Sequence, residues 1–233
     1  MANLTVALIH SPILDGESWD PVATELRRRG HTVIVPDLHD QEASGPFWQR
    51  HATAAGDQLR GAIGANEPTV RAGHSGAGPL LAAIAAASGG HPAGYLFVDA
   101  GVPRDGASRL DLLADELGPR YAAAFRRALA EEGPQPLWSH ETLGSSVPDS
   151  AVRTAILAAL RPMPLAYYDE PIPVPTSWPS APCAYLRLSS GYEAPAAWAR
   201  AAGWPVARRE GSHFDLLLEP RSVANAIEAL FPR

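Results

Sequence analysis

The chain contains no lysine: all 19 of its basic residues are arginines. That absence excludes a Schiff-base lysine, a pyridoxal anchor, the lysine of a phosphate-binding loop and a Ser–Lys dyad. Cysteine is nearly absent too. Cys183 stands alone, which excludes an internal disulfide framework and any metal site built on several thiolates. No apolar run approaches the roughly 18–20 residues of a membrane span. The N-terminus, Met1-Ala2-Asn3-Leu4, enters an apolar stretch ending at Ile9 with no basic region before it, so it does not read as a signal peptide. No His-x-x-x-His spacing offers a metal-ligand pair.

What remains is an acidic chain of 233 residues with net charge −6 and a pI near 5.7. It has no long basic run, which argues against nucleic acid or an anionic membrane as the main partner. Its apolar share of 46% is ordinary for a globular protein. Length and composition predict one soluble, cytoplasmic domain with a sizeable core, or one domain carrying an inserted subdomain. The Ala-, Arg-, Gly- and Pro-heavy usage matches that of GC-rich bacterial genomes.

Strand and helix patterns alternate at both ends of the chain. Short apolar, β-branched runs predict strands over Thr5–His10, His31–Pro36, Thr69–Gly73, Tyr95–Asp99, Cys183–Leu188 and Val206–Arg209. Between them, helices are expected from Asp20-Pro21 to a closing Gly30, over Phe47–Ile63, Gly76–Ala87 and Pro195–Ala202, and at Val223–Leu230. The stretch 103–175 breaks the alternation. It carries helices over Leu110–Leu117, Tyr121–Glu131 and Ala151–Leu160 but no clear strand, and a proline-rich stretch, Pro171–Pro182, follows. The expectation is an α/β fold: a doubly wound, mostly parallel sheet built from 1–102 and 176–233, with a helical lid or cap inserted at 103–175.

The sharpest motif is Gly73-His74-Ser75-Gly76-Ala77, set between a predicted strand and a predicted helix. A serine on such a turn projects its hydroxyl above the sheet, and small residues on either side let strand and helix approach. Here the chain resembles the α/β-hydrolase superfamily over nearly its whole length, with Ala77 in place of the usual second glycine. The resemblance implies that Ser75 is the nucleophile and that the insertion is a lid. It also implies that His213, in Gly211-Ser212-His213-Phe214 before the last helix, is the general base. An imidazole suits that task because its pKa lies near neutrality. The other histidines (His10, His31, His39, His51, His74, His91, His140) read as loop or solvated groups, His10 less clearly so.

The third member of the triad is less direct. After Cys183–Leu188, where the family usually carries it, the sequence reads Ser189-Ser190-Gly191-Tyr192-Glu193 and has no aspartate. Two carboxylates compete. Asp99 ends its strand on the side where open α/β sheets bind ligands, and a role at the dipole of the next helix explains Glu193 equally well. Asp99 is preferred.

The oxyanion hole departs from the family as well. Gly76 N–H supplies one donor, but where relatives read His-Gly-X this chain reads His10-Ser11-Pro12, and proline has no N–H. The second donor is then Ile13 N–H or the Ser11 hydroxyl.

Aromatic residues Phe47, Trp48, Tyr121, Phe125, Trp138, Tyr167, Tyr168 and Trp178 are candidates to wall a cavity above Ser75, which suits a hydrophobic or aromatic small molecule. Cys183 reads as a packed side chain. No cofactor is implied. Ser75 in place of a carboxylate excludes dehalogenase and epoxide-hydrolase chemistry, and the first turn lacks a dinucleotide fingerprint. The expected activity is hydrolysis of an ester, thioester or lactone through an acyl-enzyme on Ser75. The alternative is a non-hydrolytic cyclase, lyase or isomerase of natural-product biosynthesis in the same pocket, motivated by Pro12 and the missing aspartate.

Overall fold

A computed structural model describes residues 3–39, 44–64, 67–90 and 92–231. Met1, Ala2 and His91, read above, lie outside the described residues.

The strands are β1 (Thr5–Ile9), β2 (Thr32–Ile34), β3 (Thr69–His74), β4 (Pro92–Val98), β5 (Cys183–Arg187) and β6 (Val206–Arg208). They form one sheet in the order β2-β1-β3-β4-β5-β6, and every pairing is parallel. Strand order reverses direction between β1 and β3, which opens a crevice beyond their carboxyl ends. The loops after β1 and β3, which carry Ile13 and Ser75, leave the sheet there.

β1 shows why the strands read as continuous apolar runs. Its five residues are all buried, because both faces of the sheet are covered. Val6 and Leu8 join the cluster of α1 (Asp20–Arg28) and α11 (Pro220–Leu230). Ala7 and Ile9, one residue out of phase, join that of α2 (Phe47–Ala62), α3 (Leu81–Ser88) and α9 (Glu193–Ala201). α2 and α3 approach closely: a Cβ on Gly56 would lie 2.7 Å from that of Ala87.

The single helix expected over Gly76–Ala87 is divided. Ser75–Leu80 forms a 3₁₀ turn and the α-helix begins only at Leu81. Pro79 has no N–H to return to Ser75, and Gly76 and Gly78 favour no helix, so the tighter turn replaces the first α turn.

Between β4 and β5 lie α4 (Arg109–Leu117), α5 (Pro119–Glu132), α6 (His140–Leu143), α7 (Ser150–Ala159) and α8 (Leu165–Asp169). The short α6 and α8 were not expected. α6 starts at a capping box, Ser139 with Thr142, which the low apolar content of His140–Leu143 conceals. The helices share an apolar cluster with Ile13, Leu14 and Phe214, so they dock on the loops after β1 and β6. Short α10 (Asp215–Leu218) precedes α11. Among the described residues no helix is long and apolar enough to cross a membrane.

The turn after Ser75 has no spare room. A Cβ on Gly78 would meet the Gly101 carbonyl and lie 2.7 Å from the Ala100 Cβ. Gly78→Ala is therefore expected to destabilise the fold by about 1–3 kcal/mol, read as a lower urea midpoint with unchanged slope.

Candidate active site

β3 ends at His74, and Ser75 has φ of 55°, one of two non-glycine residues with positive φ among those described. L-residues pay for that conformation, so the packing around the turn has to enforce it. A Cβ on Gly73 would sit 3.1 Å from Leu81 Cγ, and one on Gly76 3.0 Å from Ser11 Oγ. Ala77 is fully buried in the turn.

The other positive φ belongs to Asp99, at 43°, just beyond β4. Its fully buried carboxylate accepts Leu188 N–H at 2.7 Å and Ser189 N–H at 3.0 Å on Oδ1, and the Ser189 hydroxyl at 2.5 Å on Oδ2. Oδ2 also accepts His213 Nδ1–H at 2.9 Å. That bond leaves His213 Nε2 as the lone-pair nitrogen. Nε2 is buried, without a hydrogen-bond partner among the described residues. Glu193 lies elsewhere: it pairs with Arg187 at 3.1 Å and Arg208 at 2.9 Å at the start of α9.

The loop bearing His213 is shaped by Asp215, which accepts Ser212 N–H at 3.0 Å and the Arg209 Nε–H at 3.3 Å. A Cβ on Gly211 would come within 2.9 Å of the Asp215 Cγ, which explains glycine there. His74 donates Nε2–H to the His213 carbonyl at 3.1 Å, and the two rings lie 4.5 Å apart, tilted by 32°.

Tyr192 was not singled out by sequence. Its ring stacks parallel on His213, 5.0 Å between centroids with 5° between planes. Its hydroxyl lies 3.4 Å from Ser75 Oγ and is the one hydrogen-bond partner of that oxygen among the described residues. Burial raises the Tyr192 pKa above the ordinary phenol value, so the group keeps its proton. The available signal was an aromatic shortly beyond the fifth strand, in the stretch considered for the third triad member.

Histidines hold the loop after β1. His10 donates Nδ1–H to the Ser11 carbonyl at 2.9 Å and accepts Leu38 N–H on Nε2 at 3.2 Å. His39 donates Nε2–H to the Pro12 carbonyl at 3.0 Å. His51 donates Nδ1–H to the Leu38 carbonyl at 2.8 Å. No described residue accepts the N–H of Ile13 or of Gly76. The Ser11 hydroxyl is buried beside Gly76 without a partner.

Among the described residues His10, Asp37 and His39 are the one group of three metal-type donors that converge, within 4.8 Å. The His10 lone pair already accepts Leu38 N–H, and His39 Nδ1 bonds the Asp37 carboxylate at 2.9 Å, so these donors are engaged within the protein.

Above Ser75 lies a cavity of about 210 Å³ that reaches His213, Tyr192, Ile13 and the helices between β4 and β5. Of the aromatic candidates, Tyr121, Trp138, Tyr167 and Tyr168 line it. Phe125 and Phe47 pack behind them, with Phe125 on Tyr168 and Phe47 on Tyr167. Trp178 packs instead on Tyr95, 4.2 Å between centroids, and Trp48 joins the cluster of α2 and α3. Cys183 is buried, and burial pushes its thiol pKa up to about 12.

No family model matches the chain, and no curated protein matches it. Solved structures do. An extracellular α/β-hydrolase from a Paenibacillus species is described as sharing structural and functional homology with tobacco salicylic acid binding protein 2. It covers 99% of this chain and 100% of its own, with a TM-score of 0.81 at 19% identity. Tomato methylketone synthase I, complexed with 2-tridecanone, covers 99% and 98% at a TM-score of 0.74 and 15% identity. A pyrethroid hydrolase from Sphingobium faniae covers 99% and 98% at 0.69 and 19%. The chain has the α/β-hydrolase fold.

Burial depresses the pKa of His10, to about 4, and lowers those of His51 and His74. The unfolded chain takes up these protons near 6.5, so the stability they lend is complete above that pH and is lost as pH falls towards 4. The thermal midpoint is expected to drop between pH 7 and pH 5 in a scan at constant ionic strength; an unchanged midpoint contradicts neutral burial.

Proposed function

We propose that the protein is a serine hydrolase that cleaves an ester, thioester or lactone through an acyl-enzyme on Ser75. The observation that carries the reading is the 2.9 Å bond from His213 Nδ1 to the buried Asp99 carboxylate, with Ser75 on its strained turn in the same cavity. Asp99 fixes the imidazole tautomer and stabilises its cation. His213 Nε2 takes the Ser75 proton as Oγ bonds the carbonyl carbon. The tetrahedral oxyanion is held by Gly76 N–H and Ile13 N–H, with the Ser11 hydroxyl beside them. The imidazolium returns the proton to the departing alcohol or thiol as its bond to the acyl carbon breaks. Water then attacks the acyl carbon, passing a proton to Nε2. The C–Oγ bond breaks, Oγ recovers the proton, and acid is released. Structural neighbours named as an esterase and a pyrethroid hydrolase favour ester chemistry. The helices between β4 and β5 act as the lid, its bounds near 103–175.

Tyr192 extends this reading. In the resting site Ser75 Oγ leans on the phenol at 3.4 Å, not on His213 Nε2, so the hydroxyl must swing to the imidazole before attack. The phenol, stacked on His213, is then free to donate to the leaving oxygen.

A fluorophosphonate probe is expected to label the wild type at Ser75 and to leave Ser75→Ala unlabelled. Absence of label on a folded wild type overturns the reading. Asp99→Asn is expected to lower kcat by about 10³–10⁴-fold towards a chromogenic ester. Tyr192→Phe is expected to slow alkyl esters about tenfold more than p-nitrophenyl esters, whose leaving group needs little protonation.

The second reading, non-hydrolytic chemistry, is favoured by one observation: Pro12 offers no N–H at the usual oxyanion position. It predicts that no acyl-enzyme accumulates on Ser75 with any activated ester, which intact-mass measurement after rapid quench checks.

A further inference from the structure

The cavity contains a second polar pole that the hydrolytic groups do not use. Arg109, first residue of α4, and Glu116 near its end form a two-pronged pair, Nη1 to Oε1 at 2.9 Å and Nη2 to Oε2 at 2.8 Å. Their side chains are 9% and 3% exposed, and both line the cavity above Ser75. The two residues belong to one helix, two turns apart, so their pairing ties no separate elements together. Helices form such pairs on their wet faces at little desolvation cost, and burying both charges is far less favourable. A structural staple does not explain it.

The donors at this pole outnumber their acceptors. A guanidinium carries five N–H groups, and the carboxylate takes one from each terminal nitrogen. No other described residue accepts from Arg109. Burial disfavours the cation, but Glu116 outweighs that and holds its pKa above the ordinary arginine value. Its field reaches Tyr121, Tyr167, Tyr168 and Tyr192. The Tyr168 hydroxyl is buried without a partner among the described residues, and burial pushes its pKa up to about 12, so it too remains a donor. Apolar Leu113, Leu137 and Trp138 complete the walls. Unpartnered donors in a cavity walled by aromatic side chains call for an oxygen. Glu116 already neutralises Arg109, and a second carboxylate would face it across the pole, so the fitting oxygen is uncharged.

We propose that Arg109 and Tyr168 form a substrate-binding subsite for an uncharged oxygen acceptor, such as a ketone, on the acyl chain of the ester. The word ester rests on the hydrolase reading of Ser75; the subsite does not.

The test is calorimetric titration of the full chain carrying Ser75→Ala with methyl levulinate, methyl acetoacetate and methyl valerate. At least one keto ester is expected to bind about tenfold tighter than methyl valerate, the difference of about one hydrogen bond to a charged donor. Adding Arg109→Met with Glu116→Met, which leaves no orphan charge, is expected to make the three esters equal. Tyr168→Phe, a conservative change that keeps the test open if the double variant misfolds, is expected to cut the preference about threefold.

Equal binding to Ser75→Ala, no measurable binding of either keto ester, or a preference that survives both sets of substitutions overturns the subsite. Tighter binding of monomethyl succinate than of the keto esters overturns its uncharged character. Wild-type turnover is followed in parallel. A binding preference without hydrolysis refutes the hydrolase reading alone, and hydrolysis without preference refutes the subsite alone.

Discussion

The buried carboxylate of Asp99 is the group on which the rest of the site depends. It stands at the end of β4 with positive φ and no exposure, and it ties together three stretches distant in sequence. Leu188 and Ser189 hold it from the exit of β5, and His213 holds it from the loop after β6. An ionised carboxylate out of water is tolerated only when its oxygens are this fully bonded. The dependence is mutual: without Asp99, two main-chain N–H groups, a serine hydroxyl and an imidazole N–H lose their acceptor together. Because His213 bonds a carboxylate at the end of β4, the segment after β5 need not offer it one. Ser189 there becomes a donor to Asp99, and Tyr192 becomes the ring on which His213 rests.

On the other side of Ser75 the constraint acts through carbonyls. The Ser11 carbonyl accepts both the His10 ring N–H and Leu14 N–H at 2.9 Å, and the Pro12 carbonyl accepts His39. Peptide planes pinned by their oxygens have fixed N–H directions. Pro12, which removes one donor, also restricts the loop through its ring. The neutral state of His10 matters to this bracing, because a ring that donates at Nδ1 and accepts at Nε2 satisfies two main-chain groups at once. An imidazolium there would meet Leu38 N–H with a second donor.

The inner strands β1, β4 and β5 were legible because burial on both faces gives them largely apolar runs, whereas the edge strands β2 and β6 are short and partly exposed. β4 begins three residues earlier than expected because Pro92-Ala93-Gly94 lacks β-branched residues and carries no strand signal of its own. The strained turn at Ser75 was legible from Gly73, Ser75 and Gly76, where steric demand restricts residue type. Asp99 could be ranked above Glu193 from its place at a strand's carboxyl end; the bonds from Leu188 and Ser189 that bury it could not be read, since they join residues some ninety positions apart. Tyr192 escaped notice for the same reason, because ring stacking on His213 leaves no local pattern. Arg109 and Glu116 carry no local signal in the sequence, and only tertiary packing turns their face inward.

Tyr192 stands between the two poles of the cavity. It touches Ser75 and His213, and its phenol also feels the charges of Arg109 and Glu116. The two poles ride on different parts of the fold, one on the sheet's loops and one on α4, so docking of α4 sets their separation. In the proposed reading, a substrate oxygen held at Arg109 would thereby be held at a set distance from Ser75. Contacts there are remote from the scissile bond, and their binding energy can be spent on aligning the carbonyl with Oγ and the Ile13 and Gly76 N–H groups.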